Sequence, residues 1–307
     1  MTTHVLRPTR SESLPEAASA GIYVRPVAYP LSISLAATTL IGAGLSFLLP
    51  DLLGGPDVMN GSVRGTGLIL SAVTVPAMLA AMWFAARGST VASLVWVGAV
   101  AHVLYQSVLF LFGTPFNELF LVYVAMGVLG IWSAVALLAG LDAEAVTARI
   151  TPGMQRKPIA IYVWVVVALN ALAWLARVVP ELASDEPAFL VGTGLSTNPV
   201  FVNDLTIWLP LMAIGAWWLW RDRAWGYVTI GAMLVMWQVE AVTVAVDQWM
   251  GSNADPSSDV ATMAGASLFV AMTLINVPPL VAFFRHVRRT RGVTGATSIG
   301  AVPPSSS

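Results

Sequence analysis

The chain has 307 residues, of which 57% are hydrophobic and only 10% charged; roughly a quarter of a soluble domain is charged, so the composition excludes that class. No cysteine is present, which excludes disulfides, thiolate metal sites and cysteine nucleophiles. The net charge is −1, and basic residues occur only as short clusters beside apolar runs, which excludes nucleic-acid binding.

Residues 1–30 are polar and include Arg7, Arg10, Glu12, Glu16 and Arg25. No apolar core follows the early arginines, so the segment reads as a disordered cytoplasmic tail and not as a signal peptide. Eight apolar runs follow, each about 20 residues and long enough to span a bilayer. They lie roughly at 31–50, 66–86, 90–112, 119–140, 158–178, 202–220, 224–247 and 261–284. Residues 285–307 read as a basic and then disordered cytoplasmic tail. The fold class is therefore an all-α integral membrane protein with eight transmembrane helices.

Thirteen of the fifteen basic residues fall on one side when the N-terminus is placed inside; only Arg64 and Arg177 do not. This positive-inside pattern predicts a multi-pass protein of a prokaryotic inner membrane with both termini cytoplasmic. Most acids lie on the other side, among them Asp51, Asp57, Glu118, Glu181, Asp185, Asp204 and Asp247. An acidic outer face attracts cations.

The sequence also repeats. At an offset of 134, Pro76, Met78, Trp83 and Arg87 fall on Pro210, Met212, Trp217 and Arg221, and Gln106 falls on Glu240. Offsets of 130 and 146 relate Pro50-Asp51 to Pro180-Glu181, and Val124-Ala125-Met126 to Val270-Ala271-Met272. Two tandem parallel four-helix repeats are expected, 31–140 and 158–284, joined by a cytoplasmic linker at 141–157.

Two stretches carry a resemblance. One is Phe112-Gly-Thr-Pro-Phe-Asn-Glu-Leu-Phe-Leu-Val-Tyr-Val124. The other runs from Gly192-Thr-Gly through Asn198-Pro199 and Asp204-Leu205 to Leu209-Pro210, then Arg221 to Tyr227. Over about a fifth of its length the chain resembles a group of uncharacterised bacterial and archaeal polytopic membrane proteins. The resemblance implies a fold and no chemistry.

Chemistry, if present, centres on the run 229–247. Glu240 lies near its middle, and Thr229, Met233, Met236, Glu240, Thr243 and Asp247 follow at steps of three or four, which puts them on one helix face. A carboxylate at membrane depth must face other helices or a wet cavity. The third run places Gly98, His102, Tyr105 and Gln106 on one face. His102 is the only histidine within a run; it can carry a proton or simply hydrogen-bond a neighbouring helix. Asn117 and Glu118 open the fourth helix, as a cap or as part of a polar cavity. Arg177 can pair with Asp204, Glu240 or Asp247.

The sequence has no Gly-x-Ser-x-Gly elbow, no His-Glu-x-x-His and no membrane lysine for a Schiff base. One histidine makes neither a zinc site nor a bis-histidine haem. No cofactor or metal is expected. Three readings stand. The first is a permease or ligand-binding protein with a polar funnel open to the outside, which would take a small cationic or amphipathic ligand. The second is a membrane enzyme acting on a lipid or quinone. The third is a subunit or scaffold without a site, whose polar residues glue helices together. A broken helix on the axis favours the first, a lipid-facing slot at His102 the second, and a dry interior the third.

Overall fold

The computed structural model describes residues 25–287. The disordered character expected of most of 1–30 and of 288–307 lies outside the described residues. Eight helices are long and apolar enough to cross a membrane. They are α1 (Ala28–Leu48), α2 (Asp57–Ala85), α3 (Thr90–Phe112), α4 (Phe120–Gly140), α5 (Arg156–Glu181), α6 (Pro199–Trp220), α7 (Ala224–Ala254) and α8 (Met263–Phe284). Among the described residues there is no strand, only an isolated bridge between Ile150 and Val287. The linker is ordered: Asp142 caps a one-turn helix, Ala143–Thr147, through the amides of Glu144 and Ala145.

The helix starts are written in the sequence. Ser89 caps α3 by accepting from the Ala92 amide, Asn198 caps α6 ahead of Pro199, and Thr262 caps α8. Interiors have no such marks, and two helices extend beyond their apolar runs. α2 begins at Asp57 and not near residue 66, and α7 reaches Ala254 and not residue 247. The cause is close packing. Gly61 and Gly65 on α2 meet the α7 backbone, where a Cβ would stand 2.7 Å from the Met250 carbonyl oxygen and 2.7 Å from the Asp247 Cα. Only glycine lets two backbones approach so closely, so the polar turn 60–64 stays helical against α7. With 31 residues, α7 is about 46 Å long and outreaches the roughly 30 Å hydrocarbon layer.

α3 and α7 form the centre. α3 packs on α2, α4 and α7, while α7 packs on α2, α3, α6 and α8. α5 and α8 are mostly exposed, with 17% and 11% of their apolar windows buried. α1 lies along α4, whereas α5 and α8 make little contact. They are bridged by the Tyr162 hydroxyl, which donates to Asn276 Oδ1 at 3.0 Å.

α2 and α6 are broken by single π-turns, Leu70–Thr74 and Asp204–Trp208. Each break stands just before a proline, Pro76 or Pro210, which has no N–H to donate and whose ring crowds the preceding turn. The two breaks are 134 residues apart, as are the starts of α3 and α7.

One end of the bundle carries Arg87, Arg149, Arg156, Lys157, Arg221 and Arg223; the other carries Asp51, Asp57, Glu118, Glu181 and Asp255. These ends form a basic face and an acidic face.

Candidate functional site

Midway through the bundle, one carboxyl oxygen joins three side chains. Glu240 Oε2 on α7 accepts from Gln106 Nε2 at 2.6 Å and lies 3.1 Å from His102 Nε2, both on α3. His102 is fully buried, Gln106 1% exposed and Glu240 5%. Small residues bring the helices together: a Cβ on Gly98 would stand 2.6 Å from the Ala232 carbonyl oxygen. His102 is held from both sides. Its Nε2 also lies 3.2 Å from the Thr243 hydroxyl, and its Nδ1 lies 3.0 Å from the Thr74 hydroxyl. Thr74 ends the π-turn of α2, so the break in that helix sets the second partner of the histidine.

The hydroxyl partners of His102 fit more than one proton arrangement on its ring. When the imidazole carries both protons, Nε2–H faces the carboxylate and Nδ1–H donates to Thr74, whose hydroxyl points to the Ile69 carbonyl at 3.5 Å. When Nδ1 loses its proton, the Thr74 hydroxyl turns and donates back to it. The Gln106 amide is equally reversible. It donates to a carboxylate, or after a flip accepts from a protonated carboxyl; 2.6 Å is short for the first and ordinary for the second. Its Oε1 is buried with no partner among the described residues.

Asp204, on the π-turn of α6, is 2% exposed. Its Oδ2 accepts from Trp174 Nε1 at 2.8 Å, and the Tyr105 hydroxyl of α3 faces the same carboxyl group. Tyr105 is buried with its ring 5.9 Å from Trp208. Trp208 Nε1 donates to Asn203 Oδ1, and Asn203 Nδ2 donates to the Tyr105 carbonyl.

Towards the acidic face a cavity of about 770 Å³ opens. Asp247, seven residues beyond Glu240 on α7, lines it together with Ser62 and Thr66 of α2, and segments 188–200 and 255–260 form its rim. Neither Glu240 nor His102 is among its walls, so the expected funnel stops at Asp247 and does not reach the buried pair. Thr243 bridges the interval on the same face of α7.

The expected ion pair of Arg177 with Asp204, Glu240 or Asp247 does not form; Arg177 is exposed and lines the cavity. It sits too near the end of α5 to reach the centre. Asn117 accepts from the Leu119 amide and does not cap α4 directly, since that helix starts at Phe120. Asn117 and Tyr123 line a separate space of about 80 Å³, and Glu118 is exposed. The sequence reading passed over Thr74 and the Gln238–Asn276 pair. Asn276 is 1% exposed and donates to Gln238 Oε1 at 2.9 Å. Both stand out as polar residues inside apolar runs; Thr74 does not, because threonine is common in such helices. Among the described residues no three His, Asp or Glu side chains are placed to hold a metal ion.

No family model matches the chain, and no curated protein or solved structure shows a significant similarity to it. The function is therefore argued from this geometry.

Proposed function

We propose that this chain is a permease-like membrane protein that admits a small ligand through its acidic face and exchanges a proton at the His102–Glu240 pair. That face is extracytoplasmic in this reading, and both termini are cytoplasmic, in a prokaryotic inner membrane. The observation that carries the proposal is the shared oxygen of Glu240, held at 2.6 Å by Gln106 and 3.1 Å from His102 in the middle of the bundle. Ionisable pairs at membrane depth mark proton and substrate paths. Two broken helices beside the pair support transport, since discontinuous helices give a bundle places to bend. The shared 134-residue spacing of breaks, helix starts and the Gln106–Glu240 contact supports a tandem duplication into two parallel four-helix units.

A scaffold without a site is the alternative, and one observation favours it: the buried pair is closed off from the cavity. An enzyme acting on a lipid or quinone would need His102 to meet lipid, and it has no exposed surface.

Infrared difference spectra of the reconstituted protein between acidic and alkaline buffer test the proposal without a ligand. The protonated-carboxyl region of the spectrum is expected to lose one component in Glu240→Gln and a different one in Asp247→Asn. Identical spectra for wild type and Glu240→Gln would remove the proton-exchange site and leave the scaffold reading in front.

A further inference from the structure

The acidic-face cavity holds two opposite charges that do not meet. Arg177 at the end of α5 and Asp247 on α7 both line it. Neither takes part in the His102–Glu240 or the Arg156–Asp222 ion pair. Asp247 Oδ1 has a 3.4 Å contact from Gln248 Nε2, and the Ser62 hydroxyl of α2 also stands beside the carboxylate. The other two carboxylates belong to the rim: Asp255 accepts from the Ser257 amide and hydroxyl, and Asp259 is exposed. Much of the wall is apolar, with Phe110, Phe189 and Val63 on it. At about 770 Å³ the space falls within the usual range of small-molecule sites.

We propose that this cavity takes a ligand with an ammonium group and an anionic group on one small apolar body, the ammonium on Asp247 and the anion on Arg177. The inference rests on reading the cavity as a ligand site. A ligand with a cation alone would leave the guanidinium unanswered, and one with an anion alone would bring a second negative charge to Asp247. A guanidinium suits a carboxylate or phosphate because its paired N–H groups match two oxygens. The excess of acids around the mouth draws the ammonium end in first. A free zwitterion and the headgroup of an aminophospholipid share this chemistry.

The test uses the full chain in nanodiscs of phosphatidylcholine and phosphatidylglycerol. Thermal midpoints are titrated with phenylalanine, phenethylamine and hydrocinnamate, which share a ring and differ in charge. Phenylalanine is expected to bind roughly tenfold more tightly than either singly charged probe, because each charge-assisted bond is worth about that factor. Arg177→Gln should lower phenylalanine to the affinity of phenethylamine, and Asp247→Asn to that of hydrocinnamate. Arg177→Lys should restore part of the loss, which a folding defect would not allow. Replacing phosphatidylcholine by phosphatidylethanolamine separates the sources. A midpoint gain that both variants abolish, without a response to phenylalanine, assigns the headgroup and upholds the proposal. Phenylalanine binding no tighter than phenethylamine, together with no response to phosphatidylethanolamine, overturns it. Phenethylamine binding that Asp247→Asn abolishes would then leave the ligand-site reading standing and remove only the zwitterion. The infrared signature of Glu240 uses no ligand and is unaffected by any of these outcomes.

Discussion

Replacing Glu240 by leucine tests whether the carboxyl is the keystone of the buried site. The substitution removes the acceptor of Gln106 Nε2 and one of the two oxygens within reach of His102 Nε2. His102 keeps the Thr243 hydroxyl at 3.2 Å. Gln106 is left with no partner, since its Oε1 has none already. An orphaned buried donor costs about 1–3 kcal/mol, and leucine is close enough in volume to add little cavity cost. Glu240→Leu should therefore lose about 1–3 kcal/mol, chiefly through Gln106. Glu240→Gln keeps an acceptor and should stay within about 1 kcal/mol of wild type. Adding Gln106→Leu to Glu240→Leu removes the orphan, so the double variant should recover most of that loss. Couplings across membrane helices average about 0.6 kcal/mol, so one clearly above this is expected from an oxygen that serves two donors. Reversible unfolding in mixed micelles, followed by the fluorescence of the 12 tryptophans, measures all four corners of the cycle. A leucine variant as stable as wild type, or a double variant equal to the sum of the singles, would refute the reasoning.

The packing of α2 on α7 gives another prediction. A Cβ at Gly65 would stand 2.7 Å from the Asp247 Cα and 2.8 Å from its backbone nitrogen, neither of which can swing away. Gly65→Ala should cost about 1–3 kcal/mol in the same unfolding assay, and an unchanged midpoint would contradict the close approach. Orientation is tested with single cysteines, each unique because the chain has none. Ser184→Cys on the acidic face should react with an impermeant reagent in intact cells. Ala148→Cys on the basic face should react only after permeabilisation, and the reverse result would invert the proposed funnel.

The eight spans were legible because bilayer thickness fixes run length, and the caps at Ser89, Asn198 and Thr262 are local signals. The ends of α2 and α7 were not, because hydropathy reads Asn60-Gly-Ser-Val-Arg64 as a loop. The signal was there in Gly61-x-x-x-Gly65, a small-residue spacing that marks close helix packing. In the site, helix period alone placed Glu240 with Thr243, and His102 with Gln106, on shared faces. That these two faces meet is a tertiary fact that no local pattern carries. The π-turns were hidden for a related reason. Pro76 and Pro210 announce a disturbance, but the sequence does not say whether the helix kinks, breaks or widens by one residue.

The proposed duplication accounts for the chemistry of the centre. Parallel repeats are related by an axis along the membrane normal, so equivalent residues on α3 and α7 can meet at that axis. Gln106 and Glu240 are 134 residues apart and meet at 2.6 Å, as such an axis between α3 and α7 would allow. Two carboxyls at such a distance could not both ionise, and two amides would carry no proton. An acid facing an amide keeps one titratable group and gives it a partner that can donate or accept. The asymmetry continues outward. His102 on α3 corresponds by the same offset to Met236 on α7, so the basic partner stands on one side only. α5 and α8 stand apart where α1 and α4 close together. Identical halves would be forced to present the same groups to both sides of the axis. On the proposed duplication, divergence at these few positions would put the His102–Glu240 pair and the acidic-face cavity along the one helix, α7, that carries both Glu240 and Asp247.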